Sequence, residues 1–154
     1  MSDFKIQNAS LAFERSIGAS TSRVFALFAD FHERTRWGKP SATAVFEYDE
    51  FDFRVGGQDV FRCGPRENPE YRGIAVYQDI QLDKRICWVE RIEIDEAPLM
   101  VALMTVTLHP IEIGTSLRML AQVVSFAGER MIEGTQQGNN AALDNLVAAV
   151  QVPR

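Results

Sequence analysis

Glu90 is the residue whose place in the pattern is hardest to reconcile with plain packing. Within 85–94, strict alternation sends Ile86, Trp88, Ile92 and Ile94 to one side and Arg85, Val89, Arg91 and Glu93 to the other. Glu90 falls on the apolar side. A carboxylate there is costly unless it is paired or wetted. Two placements satisfy it: a polar anchor or raised-pKa acid inside a cavity, or an open sheet end where an arginine or solvent takes the charge.

Other chemistry is thinly supported. His32 lies near Asp30 and Glu33 on a short helix and His109 precedes Pro110, but neither has metal-ligand spacing. No serine or cysteine sits in a nucleophile motif. Arg54-Val55-Gly56-Gly57-Gln58 is glycine-rich but lies between two strands, so it reads as a tight hairpin needing positive φ rather than a phosphate cradle. Cys63 and Cys87 lack CxxC spacing and read as reduced thiols, with a disulfide between them as the alternative. No metal or cofactor is expected.

The remaining candidates are walls and anchors. Met104 and Met119 recur on the apolar faces of two strands, where flexible thioethers line an adaptable pocket or fill an ordinary core. Trp37 either stacks on a ligand at a pocket mouth or plugs the gap between short helices and sheet. Phe53 and Phe61 divide between core and cavity in the same way. In the last helix, Gln136, Asn139 and Leu143 continue a stripe that ends in Leu146, Val147 and Val150. The two amides either hydrogen-bond a ligand from the roof of a cavity or stand solvated where the helix overhangs the sheet. Gly134 and Gly138, four apart, permit close approach of a ligand, a strand or a second subunit.

These side chains must be positioned by a regular frame. Alternation at Leu11, Phe13, Arg15 and Ile17 predicts a first strand. The hydroxyl-rich run ending at Ser22 caps a helix over 22–29, and a second short helix covers 31–36. Strands are predicted over 43–53, 58–63, 71–80, 85–94, 100–108 and 115–124, separated by glycine, proline and aspartate breakers. A helix over 127–151 follows, ended by Val152-Pro153-Arg154. Short connections favour an antiparallel meander, and one long helix must cover one sheet face. The expected class is α+β: a curved seven-stranded antiparallel sheet gripping a long C-terminal helix, with two short helices after the first strand.

An ordered set of residues then carries a resemblance. It runs from Arg15-Ser16-Ile17 and Ala19 through Arg23-Val24-Phe25, Arg36-Trp37 and Phe51-Asp52-Phe53-Arg54-Val55-Gly56-Gly57 to Tyr77-Gln78-Asp79-Ile80 and Arg85-Ile86. It continues in Thr105-Val106-Thr107-Leu108, Gly114-Thr115-Ser116-Leu117, Glu133-Gly134-Thr135 and Leu143-Asp144-Asn145-Leu146. The chain, over about residues 10–150, resembles the START-like (SRPBCC, birch-pollen-allergen-like) superfamily. Within it, the likeness is to bacterial proteins similar to the C-terminal domain of the activator of heat-shock protein 90 ATPase. The resemblance implies a helix-grip fold with a deep pocket for apolar or amphipathic molecules, lipid- or polyketide-like, and no fixed catalytic set. Relatives often carry a tryptophan in the first half of the last helix. Here Thr135-Gln136-Gln137-Gly138-Asn139-Asn140 has none, which implies a more polar or more open roof.

Composition bounds what remains. The 154 residues are 46% hydrophobic and 24% charged, as in one globular domain with a sizeable core. Sixteen basic against 21 acidic residues leave a net charge of −5, which disfavours phosphate backbones and anionic membrane surfaces. No leader or membrane-spanning run is read, so a cytoplasmic location is expected. The expected partner is therefore an apolar small molecule, held by Trp37, Phe53, Phe61, Trp88, Glu90, Met104, Met119, Gln136, Asn139 and Leu143. A cyclase-, dehydratase- or hydrolase-type enzyme using the same pocket is one alternative; a chaperone-contacting module is another. A homodimer through exposed strands stays open.

Overall fold

A computed structural model describes residues 6–67 and 70–151. Strand β1 (Gln7–Ile17) leads to helices α1 (Thr21–Ala29) and α2 (Phe31–Trp37). Six strands follow: β2 (Ala44–Glu50), β3 (Gln58–Pro65), β4 (Tyr71–Gln81), β5 (Arg85–Ile94), β6 (Ala97–Ile111) and β7 (Gly114–Ser125). Helix α3 (Glu129–Ala149) closes the order. The strands form a single antiparallel sheet in the order β1-β7-β6-β5-β4-β3-β2, a meander whose last strand pairs with the first. This is the helix-grip architecture expected from the sequence.

Local chemistry sets the ends of the elements. Ser20, one of the hydroxyls in the run that ends at Ser22, caps α1 by accepting from the Arg23 amide at 3.1 Å. Asp30 caps α2 by accepting from the Glu33 amide at 3.0 Å. Gly56 adopts φ 81° in the β2–β3 connection, as that glycine pair requires. The β5–β6 turn is made by Asp95 and Glu96, both at positive φ, rather than by Ala97-Pro98. β6 therefore begins three residues early, with Pro98 accommodated at the register shift after Ile92, where a missing N–H breaks no regular ladder. α3 is two residues shorter than expected at each end. Val152-Pro153-Arg154, read as its stop, lies outside the described residues, as do Asn68 and Pro69.

One inner face collects the core. Phe13, Met119, Val106 and Ile86 form one line across β1, β7, β6 and β5; Leu11, Ala121, Met104, Trp88 and Tyr77 form the next. The C-terminal half of α3 is pressed onto this surface by buried Ala142, Leu143, Leu146 and Ala149. Asn145 ties it to the end of α2, donating to the carbonyls of Trp37 and Lys39 at 3.3 Å each. Among the described residues no helix is long and apolar enough to cross a membrane.

Candidate functional site

The N-terminal half of α3 roofs a cavity of about 310 Å³. Its floor comes from the inner face of the sheet: Phe61 on β3, Trp88, Glu90 and Ile92 on β5, Met100 and Met104 on β6, and Met119 on β7. Phe28, Arg34 and Trp37 close one side, and Gly38 and Pro40 shape the rim. Thr135, Asn139, Ala142 and Leu143 face down from α3. Eight of the ten residues read from the sequence as site candidates therefore line one space.

Glu90 is on the inner face, as the alternation requires. Its cross-strand neighbours there are Ala75 and Ala102, so small side chains on both flanks leave room for its carboxyl group. Trp88 Nε1 donates to Glu90 Oε1 at 3.3 Å. Burial raises the Glu90 pKa, opposed by the Trp88 hydrogen bond and by the charge of Arg34. The carboxylate held by arginines is instead Glu93, on the other face: Arg91 Nε donates to it at 2.8 Å and Arg72 Nη1 at 2.9 Å, and these bonds lower its pKa.

Two cations line the cavity, Arg130 exposed at the start of α3 and Arg34 of α2, and it is Arg34 that lies against the aromatic wall. Its guanidinium carbon lies 4.1 Å from the centre of the Trp37 ring and 5.4 Å from that of Phe46, within the range of cation–π attraction. Nη1 is shielded from solvent and has no acceptor. Alternation cannot find this residue, but helical spacing can. Arg34 precedes Trp37 by three positions and so shares its face of α2.

Behind the main cavity lies a pinhole of about 10 Å³, with Phe28, Arg34, Phe61, Trp88 and Glu90 common to both walls. Its own carboxylate, Asp59, is already engaged. Buried Asp59 accepts from Tyr77 Oη at 2.5 Å and from the Asp52 amide at 2.8 Å. Burial raises the pKa of Asp59 despite these bonds, and burial also pushes Tyr48 and Tyr77 upward.

Two candidates stand elsewhere. Phe53 packs edge-on against Phe25 at 5.7 Å and Tyr77 at 5.0 Å, and touches the pinhole rather than the main cavity. Gln136 is exposed, because it is one residue, hence about 100° of helical turn, beyond inward-facing Thr135. The other amide does reach the cavity, although Asn139 Nδ2 spends one hydrogen on the Thr135 carbonyl at 2.9 Å. Trp37 combines both of its readings. It is buried, its Nε1 donates to the Leu27 carbonyl at 2.7 Å, and one ring face carries Arg34 at the cavity wall.

Cys63 lies on β3 against the cavity, and burial, with the charge of Glu90, pushes its thiol up to about 12. Cys63 and Cys87 are both free thiols. Among the described residues no group of three or more His, Cys, Asp or Glu is placed to hold a metal ion.

The fold that encloses this apolar, weakly polar-lined space is shared with known proteins. The family described as Activator of Hsp90 ATPase homolog 1-like protein matches residues 18–151. The chain belongs to this family. Among solved structures, Mll3558 from Rhizobium loti is 35% identical, with 94% of this chain and 98% of that one covered and a TM-score of 0.81. An uncharacterized protein from Rhizobium leguminosarum is 24% identical over 94% and 95% of the two chains, with a TM-score of 0.82. CV1439 from Chromobacterium violaceum is 23% identical over 94% and 98%, with a TM-score of 0.83. At those last two identities the likeness is one of fold. No curated protein matches this family member.

Proposed function

We propose that this family member binds a small apolar or amphipathic molecule between the sheet and the first half of α3. The observation that carries the reading is the cavity itself: about 310 Å³, walled by aromatic and methionine side chains, with a few polar groups among them. That size is at the lower end of ligand pockets, and such lining gives affinity by apolar burial and orientation by few hydrogen bonds. Met100, Met104 and Met119 let the floor adjust to the ligand's shape. Trp88, Phe61 and Leu143 give it rigid sides, and Asn139 offers an amide from the roof.

The test is titration of the purified protein with Nile red, wild type against Met104→Trp, with circular dichroism to check the fold. The larger indole occupies the cavity, so binding weakens by about tenfold or more. Equal binding by two folded proteins overturns the reading.

Glu90 supports a second reading, in which the same pocket holds a reacting substrate and this carboxyl group moves a proton. In that case Glu90→Gln abolishes turnover and leaves Nile red binding intact. The family's description also raises a chaperone-contacting role, for which stimulation of an Hsp90 ATPase by the whole chain is the assay.

A further inference from the structure

The geometry points to Arg34 as an anion anchor: the cavity takes an organic acid, whose compact apolar body lies on the methionine floor and whose oxygen anion docks on the Arg34 guanidinium. This rests on the ligand-cavity reading above and names its ligand class.

The argument starts from an unmet cation. Among the described residues the guanidinium of Arg34 forms neither a hydrogen bond nor an ion pair, and its Nη1 is closed off from water as well. That nitrogen is beyond a ligand's reach too, but Nε and Nη2 are not closed off, and an unpaired guanidinium edge in an apolar wall is costly unless an acceptor arrives from outside the chain. The Trp37 and Phe46 rings offset part of the charge, but a ring face is no substitute for a carboxylate as an acceptor.

The nearest carboxyl groups leave that role open. Glu90 shares the cavity with Arg34 without pairing with it, and takes its hydrogen bond from Trp88 instead. Asp59 is engaged by Tyr77 and the Asp52 amide. A planar guanidinium suits a carboxylate, whose two oxygens match its fork of donors. Glu90, beside it, donates a hydrogen bond to such an anion when protonated and repels it when ionised. The apolar body then has one place to go: away from Arg34, over Met100, Met104 and Met119, beneath Asn139.

The experiment compares two probes that share a body and differ in the head. Naphthoic acid and naphthylmethanol, substituted at the same ring position, are titrated calorimetrically into wild type, Arg34→Met and Arg34→Lys. Nile red is titrated in parallel. In wild type the acid binds about 10- to 100-fold more tightly than the alcohol, the range of a hydrogen bond to a charged group. Arg34→Met removes that preference and leaves alcohol affinity within about threefold. Arg34→Lys, which keeps the charge and loses the fork, retains part of the preference. Equal binding of acid and alcohol by wild type, a comparison that needs no variant, overturns the anchor. So does an Arg34→Met protein that weakens both probes alike. In either case Nile red binding leaves the ligand-cavity reading standing. Failure of wild type to bind any of the three overturns both.

Discussion

Gly73→Ala tests how the cavity floor is built, because one cross-strand pair holds an aromatic wall in place. Gly73 faces Phe61 directly across β3 and β4. A Cβ at Gly73 would lie 2.0 Å from Phe61 Cζ, 2.3 Å from Cε2 and 2.5 Å from Cε1, so the ring lies over the glycine. Carbon atoms in good contact are about 3.5–4.0 Å apart, so the outer edge of the ring must retreat by roughly 1.5–2 Å. Phe46 and Tyr48 pack against the same ring at 5.0 and 5.9 Å and oppose that movement. The expected destabilisation is about 1–3 kcal/mol, that of overpacking a fitted core. Phe61→Leu removes the three clashing atoms and keeps a branched apolar stem. In that background Gly73→Ala should stabilise by about 0.5–1 kcal/mol, because alanine is the better residue in a strand once the ring is gone. The assay is urea unfolding of wild type, both single variants and the double variant, with unchanged slopes as the condition for comparison. Nile red titration of the same four proteins reports the floor, since a ring lifted off Gly73 enters the cavity and weakens the dye in Gly73→Ala alone. Additive free energies, with Gly73→Ala costing the same in the Phe61→Leu background as in wild type, would refute the ring-over-glycine reasoning.

Two further outcomes follow from particular residues. Gly134 lies within α3 at the cavity mouth and a Cβ there meets nothing within 4 Å, so Gly134→Ala should stabilise by about 0.5–1 kcal/mol and raise Tm by a few degrees; a lower Tm in a thermal melt would contradict this. Glu90 has a raised pKa in the fold, facing Arg34 of α2, Tyr48 of β2, Asp59 and Cys63 of β3 and Tyr77 of β4. The folded protein thus holds this proton more tightly than the unfolded chain, so its stabilising contribution is complete below the ordinary carboxylate value and is lost as pH rises through the folded value. Asp59, also raised, adds to that slope; Glu93, lowered by its arginines, acts with the opposite sign on the acid side. Glu90→Gln keeps an acceptor for Trp88 and cannot ionise. It should raise the urea midpoint at neutral pH, give no gain in acid, and leave a shallower pH profile; an unchanged profile would refute the assignment.

The frame was legible because strands with one buried face alternate. Glu90 was found by that alternation, and the same count put Met104 and Met119 on the floor. Gln136 shows where counting falters. A helical stripe is wide, and the sequence of a roof that covers empty space does not say which flank looks down. Thr135, at the centre of the stripe, has a short polar side chain that donates to the Met131 carbonyl at 2.7 Å, so it reads like a surface residue although it faces the cavity. Phe53 was misplaced for another reason, since aromatics between β2 and β3 pack on α1, a contact no local period encodes. The same holds for Arg34 on Phe46: the spacing to Trp37 is local, but the second ring comes from β2. Pro98 and Pro110 looked like breaks and are strand residues, because the sheet places them at a register shift and near a strand end.

The cavity survives because the two halves of α3 differ. Toward the C-terminus, Ala142, Leu143, Leu146 and Ala149 fill the space above the sheet. Toward the N-terminus the inward positions hold Met131, Thr135 and Asn139, with Gly134 and Gly138 beside them; Thr135 Oγ1 lies 3.6 Å from Met100 Sδ at the floor, but these side chains do not fill the space as the leucines do. A dry void of about 310 Å³ would cost roughly 7 kcal/mol at the measured dependence of stability on cavity volume, a large share of the stability of an ordinary domain. Such a space is therefore wet or occupied. Water is well held where Arg34, Glu90 and Asn139 offer partners, and poorly held over Met100, Met104 and Met119, where it has none. Displacing the poorly held water with an apolar group is favourable, while the well-held water yields only to a group that replaces its hydrogen bonds. On the reading proposed above, the wall selects a molecule with two unlike ends, and the unpaired cation beside Trp37 gives the polar end its sign.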